Sequence, residues 1–441
     1  MNDRYRPDTS DAGEPLAPGA TGQSSPHHVS RRPVLLAAFL GAGSLAGCSL
    51  IPGSSSAGSS PSAKPKAPEP AASSAAPSPT AAASPAPSAT ATATATDGAL
   101  AGWSLEEKVG QLMMVGVDAQ APKQSSNEAV DTHHVGNIFI AGRTTAGSQA
   151  TQKVISSFTS KVGPGTTHAT PMLVATDQEG GEVQVLAGSG FSDIPSALDQ
   201  SAQPRDQLVA SARTWGKELA DVGVNMNLAP VADLVDIARP ASNEPIGRWG
   251  REYGHDAATV SSQAGAFAEG MQASKVIPTY KHFPGLGRVK DNTDTSAGVV
   301  DSTTTRSADT AVSVIFGAAI AAGAPVIMVS SATYSLIDPS APAVFSSTIV
   351  TDMLRREMGF SGVVITDDVS AAVQVQDVSA GDRAVRAIRA GCDLVLASAD
   401  PTVAADMVKA LIATARSDPA FAARVDESAT RLLNLKKSLQ S

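Results

Sequence analysis

Charged side chains stand at the ends of four apolar, Val- and Ile-rich segments of this sequence. The residues concerned are Asp177, Glu179, Asp233, Lys281, His282, Asp367 and Asp368. Several carboxylates beside one lysine and one histidine suit glycoside hydrolysis, in which an ionised carboxylate attacks the sugar and a protonated one donates to the leaving group. The same carboxylates could instead hold a divalent metal ion, which is the main alternative chemistry.

The elements that must position these side chains are eight apolar segments that alternate with longer helical stretches. The predicted strands are Leu112–Val117, Asn137–Ala141, Met172–Thr176, Asn225–Pro230, Val276–Lys281, Val326–Ser330, Gly362–Thr366 and Asp393–Ala397. The predicted helices include 205–221, 256–273, 305–322, 346–358 and 380–390, and the capping box at Ser104–Glu107 predicts an earlier one.

This alternation predicts an α/β fold, namely a (β/α)8 TIM-type barrel, because continuous apolar strands that are each followed by a helix form parallel sheets. Chemistry in such a barrel lies at the carboxyl ends of the strands. A doubly wound open sheet is the structural alternative. It requires a glycine-rich phosphate loop after the first strand, and Val115-Gly116-Val117-Asp118 is not such a loop.

Residues 1–48 are predicted to be a lipoprotein signal peptide with a polar amino-terminal region. The apolar stretch that starts at Val34 is too short to span a membrane and has the length of a signal-peptide core. It ends in Leu45-Ala46-Gly47-Cys48, which resembles the bacterial lipobox whose cysteine carries a diacylglycerol. A plain secretory signal is the alternative, and Arg31-Arg32 leaves the choice between Sec and twin-arginine export open.

Residues 49–98 consist almost entirely of Ser, Ala, Pro, Thr and Gly and are predicted to be a disordered linker. Residues 99–441 are predicted to form the catalytic barrel. This organisation predicts an exported protein that the lipid on Cys48 anchors to the outer face of the cytoplasmic membrane.

Charge and cysteine content exclude several classes of protein. The net charge is −9, whereas a nucleic-acid binder needs a basic surface, so no nucleic-acid partner is expected. Two cysteines exclude a disulfide-rich scaffold and a cysteine-based zinc site. No cofactor and no metal are predicted.

Five blocks of sequence occur in order along residues 104–400, each on or beside a predicted strand. They read KVGQLMMVG (108–116), DQEGG (177–181), NLAPVAD (227–233), KHFPG (281–285) and GFSGVVITDD (359–368). Together these blocks resemble the bacterial β-N-acetylhexosaminidases of glycoside hydrolase family 3. The resemblance covers nearly the whole of the predicted folded part.

The resemblance implies a role for each matched residue. Asp367 matches the family's catalytic nucleophile, although an aspartate there could cap the helix that follows, a role that Asp368 fits as well or better. Asp177 matches a residue that holds sugar hydroxyls, and Lys281 and His282 match a pair that contacts the same sugar. A lysine beside carboxylates also favours their ionised form.

The family's sugar-contacting arginine matches one of two residues in the segment 246–254. Arg251 fits the end of the family motif better than Arg248, and a surface salt bridge is expected for the arginine that does not contact the sugar.

The general acid/base is where the sequence departs from the family. Family members carry histidine after Lys-His-Phe-Pro-Gly and Asp-Ser-His in the following loop, whereas this chain has Leu286 and Asn292-Thr293-Asp294. By spacing, Asp294 is predicted to protonate the leaving group, with Asp291 as the second candidate; the other interpretation of Asp294 is a turn-capping residue. Glu182 also replaces a common family arginine.

The sequence therefore predicts a retaining exo-glycosidase. It would remove terminal β-linked N-acetylglucosamine from peptidoglycan fragments through a glycosyl-enzyme intermediate on Asp367. Two alternatives stay open: β-glucosidase-type specificity of the same family, and a catalytically weakened glycan-binding lipoprotein.

Overall fold

A computed structural model describes residues 98–440 of the chain. The predicted signal peptide, Cys48 and almost all of the predicted linker lie outside these residues. The first long helix, α1 (Leu105–Gln111), begins with the predicted capping box, in which the Ser104 hydroxyl and the Glu107 carboxylate accept from each other's backbone N–H groups. Within residues 98–440, no helix is long and apolar enough to cross a membrane.

The eight predicted strands are all present and form one ring of parallel strands. Their bounds are Met113–Asp118 (β1), Asn137–Ala141 (β2), Leu173–Thr176 (β3), Met226–Asn227 (β4), Ile277–Phe283 (β5), Val326–Val329 (β6), Val363–Thr366 (β7) and Val395–Ala397 (β8). Each of β1 to β6 pairs with its successor, and β8 pairs with β1. A parallel bridge between Ile365 and Leu394 closes the ring, so the predicted (β/α)8 barrel is confirmed and the open sheet is excluded.

The helices lie between the strands in chain order. Their bounds are Gln124–His133 (α2), Gly147–Thr159 (α3), Arg205–Asp221 (α4), Ala257–Ala273 (α5), Ala311–Ala321 (α6), Thr348–Glu357 (α7), Ala380–Ala390 (α8), Ala404–Ser417 (α9) and Pro419–Lys437 (α10). The first half of α6 and all of α7 have the wider π-helical turn. The helix predicted from residue 305 starts at Ala311, and the Asp309 carboxylate accepts from the backbone N–H groups of Thr305 and Ala311 just before it.

Shorter elements decorate the carboxyl ends of the strands. Two short strands, Gln178–Gly180 and Val183–Gln184, make a hairpin directly after β3. Three more, Val300–Asp301, Thr333–Tyr334 and Asp338–Pro342, form a small separate sheet. These additions build the surroundings of the strand ends where chemistry was predicted.

A buried aspartate ties the opposite end of the barrel to its outer helices. Asp393 precedes β8, is fully buried and accepts from the guanidinium groups of Arg355, Arg424 and Arg431. Burial alone would raise the pKa of Asp393, but the three cations outweigh it and lower that pKa. Arg355 lies on α7, and Arg424 and Arg431 lie on α10, so the cluster fixes both helices against the barrel.

Candidate active site

An open cavity lies where the carboxyl ends of the barrel strands meet. Six predicted site residues line it, namely Asp177, Arg251, Lys281, His282, Asp294 and Asp367. The other lining residues are Leu228, Pro245, Leu286, Asn292, Thr293, Met328, Leu396 and Ser398. The barrel therefore brings together every residue that the sequence assigned to catalysis or sugar binding.

Asp367 is held in the cavity wall by the strand that precedes it. Its backbone N–H donates to the Val329 carbonyl at 3.0 Å, which continues the β6–β7 ladder one residue beyond β7. Its Oδ1 accepts from the Asp368 backbone N–H at 2.8 Å, and the residue is 5% exposed. A carboxylate fixed in this way on a rigid element has the preorganisation that a nucleophile needs.

Asp368 does not cap α8, although its Oδ2 caps the turn that follows β7 by accepting from the Ala371 backbone N–H at 3.0 Å. The helix that follows, α8, begins at Ala380 and is capped by Ser379. The Asp368 carboxylate instead accepts from the Ser370 hydroxyl at 2.7 Å and from the backbone N–H and hydroxyl of Ser398, at 2.7 and 3.0 Å. Because Ser398 follows β8 directly, Asp368 fastens the end of β7 to the end of β8.

Four buried charged side chains form a continuous series of ion pairs at the site. The Lys281 ammonium lies 2.7 Å from Asp177 Oδ1 and 2.6 Å from Glu179 Oε1. Glu179 in turn accepts two bonds from the Arg251 guanidinium, at 2.8 and 2.7 Å. Charges therefore alternate along the series Asp177, Lys281, Glu179 and Arg251, so that each buried charge has an opposite neighbour.

The alternation controls the ionisation of Glu179. Burial alone would raise its pKa, but the charges of Arg251 and Lys281 overcome that effect and lower the pKa to about 2. Burial works against the charged forms of Lys281 and Arg251, yet the neighbouring carboxylates raise the pKa of both cations. Glu179, Lys281 and Arg251 therefore stabilise one another in their charged forms.

The hairpin after β3 shapes this network. Gly180 has φ 108°, and a Cβ there would lie 2.1 Å from the Pro195 carbonyl oxygen. Only glycine fits such a position, since it tolerates both the positive φ and the close approach. The chain therefore turns directly after Glu179, and Gly181, with φ 55°, completes the turn, which explains the glycine pair that the sequence places there.

His282 lies inside β5, because the strand extends to Phe283 and so ends two residues later than predicted. Its Nδ1 is 2.7 Å from Asp233 Oδ2, and Asp233 Oδ1 accepts from the backbone N–H groups of His282 and Leu286. Because a carboxylate accepts at Nδ1, that nitrogen is the donor and Nε2 is left for a ligand. Asp233 thus orients the histidine.

The loop after β5 brings Asp294 to the cavity and leaves Asp291 outside it. Asp294 lines the cavity and donates its backbone N–H to Asn292 Oδ1 at 2.9 Å. Asp291 is exposed and does not line the cavity. Leu286 and Asn292, which replace the family's histidine and aspartate, both contribute to the lining.

The two candidate arginines have different environments. Arg251 is 5% exposed, lines the cavity and donates to the Pro245 carbonyl as well as to Glu179. Arg248 is half exposed and pairs with Glu244 at 2.6 Å on the surface. Glu182, which replaces a family arginine, is exposed, and its backbone carbonyl accepts from Arg143.

Sequence reasoning placed Glu179 and Asp233 at strand ends but gave them no role, and it missed Glu252 altogether. The first two stand in blocks that were quoted for the resemblance, so their place in those blocks was the available signal. Glu252 has no such signal: it is fully buried beside Arg251, and burial raises its pKa, with the Asp233 charge adding to the effect.

Comparisons with known proteins agree with this geometry. The glycosyl hydrolase family 3 N terminal domain matches residues 104–435. A secreted glycosyl hydrolase of Arthroderma benhamiae is 34% identical over 276 residues, which is 62% of this chain and 76% of that protein. A β-hexosaminidase of Stenotrophomonas maltophilia is 35% identical over 235 residues, or 51% of this chain and 67% of that protein.

A solved structure resembles the whole barrel. The crystal structure of a β-N-acetylhexosaminidase from Beutenbergia cavernae is 56% identical in sequence, and the two superpose with a TM-score of 0.74. The match covers 76% of this chain and 98% of the other. The similarity therefore extends over almost the entire length of that protein.

Proposed function

The chain belongs to glycosyl hydrolase family 3, and on this premise we propose that it is a retaining β-N-acetylhexosaminidase that releases terminal β-linked N-acetylglucosamine. The observation that carries the proposal is the meeting of Asp177, Arg251, Lys281, His282, Asp294 and Asp367 in one cavity. Similarity to proteins named β-hexosaminidase and β-N-acetylhexosaminidase supports the choice of sugar.

In the proposed mechanism, Asp367 and Asp294 share the chemistry. A carboxylate oxygen of Asp367 bonds to the anomeric carbon while the bond from that carbon to the leaving oxygen breaks. Asp294 gives its proton to that oxygen and later removes a proton from the water that attacks the anomeric carbon. The second displacement frees Asp367, and two inversions restore the β configuration.

The remaining polar residues bind the terminal sugar. Asp177 is assigned to bind sugar hydroxyls, because its carboxylate oxygens accept hydrogen bonds from O–H groups. Arg251 and Lys281 are assigned as hydrogen-bond donors to the same sugar, and His282 is assigned to contact it through Nε2. Glu179 and Asp233 act behind them, because each holds one or two of these side chains in place.

The proposed substrates are peptidoglycan fragments, and the proposed location is the outer face of the cytoplasmic membrane. The lipobox-like Leu45-Ala46-Gly47-Cys48 and the linker-like composition of residues 49–98 support this location. Similarity to a protein named as a secreted glycosyl hydrolase supports export.

The activity is tested by release of a chromophore from an aryl β-N-acetylglucosaminide and from the matching β-glucoside. We expect the first substrate to be cleaved with a much higher kcat/KM. Preference for the glucoside would replace the proposed specificity with that of a β-glucosidase. Release from neither substrate, together with retained binding of N-acetylglucosamine, would favour a glycan-binding protein.

The nucleophile is tested with Asp367→Asn. This change keeps the side-chain shape and removes no apolar packing, so the fold should survive while turnover falls by several orders of magnitude. Asp352→Asn is the matched control, because Asp352 lies on α7 and pairs with Arg356 at the surface. Near-normal turnover of Asp367→Asn would refute the assignment.

The anchor is tested with Cys48→Ala in the full-length chain in a bacterial host. The variant is expected in the medium or as an uncleaved precursor, whereas the unmodified protein is expected in the membrane fraction. A variant that stays in the membrane fraction with the mature mass would contradict lipidation at Cys48.

A further inference from the structure

We propose that Arg288 and Gln374 are positioning residues that fasten the loop of Asn292–Asp294 at both ends, so that the acid/base is in place before the substrate binds. This inference rests on the proposed role of Asp294 and adds two residues that do not line the cavity. Neither residue belongs to the sequence blocks that resemble the family.

Arg288 holds the start of the loop. Its guanidinium donates hydrogen bonds to both carboxylate oxygens of Asp236, at 2.8 and 2.7 Å, and to both carboxylate oxygens of Asp309, at 3.0 Å each. The side chain is 8% exposed, and the carboxylates raise its pKa. Asp236 lies in the loop after β4, and Asp309 lies just before α6. One buried cation thus joins the acid/base loop to the elements on both sides of it.

The backbone of the loop is also held at its start. Asn243 is fully buried, and its Nδ2 donates to the carbonyls of Leu286 and Val289 at 3.0 and 2.6 Å. The Glu244 backbone N–H donates to the Lys290 carbonyl at 2.9 Å. These bonds leave the chain from 286 to 290 little freedom, because each backbone carbonyl named has a fixed partner.

Gln374 holds the end of the loop against the segment that follows the nucleophile. Its side-chain oxygen accepts from the Val299 N–H at 2.8 Å, and its Nε2 donates to the Val299 carbonyl at 3.1 Å. Its backbone N–H donates to the Thr293 carbonyl at 3.0 Å, and the Val373 N–H donates to the Asp294 carbonyl at 3.2 Å. Gln374 is 8% exposed, so water competes little for these bonds.

The consequence concerns the step that needs a proton. A general acid works only within hydrogen-bond reach of the leaving oxygen, and loss of such an acid costs about 10²–10⁴-fold. Loosening the loop spreads Asp294 over positions that do not reach that oxygen. Substrates whose leaving group needs protonation should slow down, whereas activated aryl glycosides, which leave as anions, should not.

The test compares Arg288→Gln and Gln374→Ala with the unmodified enzyme on a series of aryl β-N-acetylglucosaminides of rising leaving-group basicity. We expect kcat/KM, which reports the first displacement, to fall by about tenfold or more for the most basic leaving groups and to stay within about threefold for the most activated ones. Inhibition by free N-acetylglucosamine should change little, because the sugar-binding residues are untouched. The dependence of kcat/KM on leaving-group basicity should therefore become steeper.

Conservative variants guard against a trivial loss of folding. Gln374→Glu keeps the acceptor for the Val299 N–H but loses the donor to the Val299 carbonyl, so its effect should be intermediate. Arg288→Lys keeps the charge but cannot span four carboxylate oxygens, so it should also be intermediate. Arg306→Gln and Gln152→Ala are matched controls in exposed positions and should leave the basicity dependence unchanged.

Comparison with Asp294→Ala separates the two levels of the proposal. If Asp294→Ala shows the selective loss but the Arg288 and Gln374 variants slow all substrates equally, or none, the positioning role is refuted. If Asp294→Ala itself shows no selectivity, the acid/base assignment has failed. A selective loss in His282→Gln would then move the acid/base role to the histidine that Asp233 orients.

Discussion

Lys281 and Glu179 lie 2.6 Å apart, from Nζ to Oε1, with each side chain only 3% exposed. This contact links the lysine that we propose to bind sugar to a carboxylate for which the proposed chemistry has no direct use. Its purpose is electrostatic, since Glu179 also holds Arg251 and so keeps two cations together in a buried site. Such a site is stable only while every charge keeps its partner.

Glu179→Gln is therefore expected to destabilise the protein by about 3–5 kcal/mol, the usual cost of removing one partner from a buried ion pair. Activity should fall as well, because Arg251 loses its bidentate partner. Glu269→Gln removes an exposed partner of Arg205 and should cost less than about 1 kcal/mol. Denaturant unfolding of both variants provides the measurement. An equal free energy of unfolding for the two variants would show that Glu179 does not stabilise the buried charges.

Much of this site could be predicted from sequence, because apolar strands and the residues that end them are adjacent along the chain. Asp177, Lys281 and Asp367 were found in that way. The pairing of Glu179 with Arg251 could not be, since 72 residues separate them and their contact depends on the short hairpin after β3 and on the irregular loop that carries Arg251. Sequence patterns with a fixed period describe strands and helices, but they do not describe such loops.

Glu252→Gln should stabilise the protein at neutral pH. Burial raises the pKa of Glu252 above its usual value of 4.5, so the folded chain binds this proton more tightly than the unfolded chain does. The folded state therefore loses stability as pH rises from about 4.5 through the raised pKa. Glutamine removes this loss, and the exposed Glu244→Gln serves as the control. The measurement is the Tm of each protein at pH 5 and at pH 8. An identical change in Tm between these pH values in Glu252→Gln and in the unmodified protein would contradict the prediction.

The opposite sign is expected for Lys436. Burial lowers the pKa of this lysine from 10.5 to about 7, and its ammonium donates to Gln111 Oε1 at 2.6 Å and to the Gly136 carbonyl at 3.0 Å. Between these two pKa values the unfolded chain binds more protons, so stability should rise with pH from about 7 to 10.5.

Lys436→Met should flatten this rise, whereas the same change at the exposed neighbour Lys437 should preserve it. Urea unfolding at several pH values across the interval measures the slope for each protein. A slope that survives in Lys436→Met would assign the effect to another group.

The loop of Asn292–Asp294 shows a second feature that sequence reasoning could not predict. Spacing placed Asp294 at the family's histidine position, and the structure does bring it to the cavity. The contacts of Arg288 and Gln374 could not be predicted, because their partners lie in other loops, far away along the chain. A residue that only positions another side chain is harder to find in the sequence than a residue that directly follows a strand.

The final prediction concerns the acceptor of the sugar. An incoming phosphate dianion would meet the carboxylates of Asp177 and Asp294, because Asp367 is an ester of the sugar at that stage, while Lys281 and Arg251 are already engaged by carboxylates. Repulsion between like charges ~4 Å apart is on the order of 1 kcal/mol in water and ~4 kcal/mol at a partly buried site. Water should therefore be the acceptor, and added phosphate at constant ionic strength should change neither rate nor product. Asp294→His removes one negative charge and should increase the yield of the sugar 1-phosphate relative to the free sugar. Sugar 1-phosphate as the main product of the unmodified enzyme would refute the charge argument.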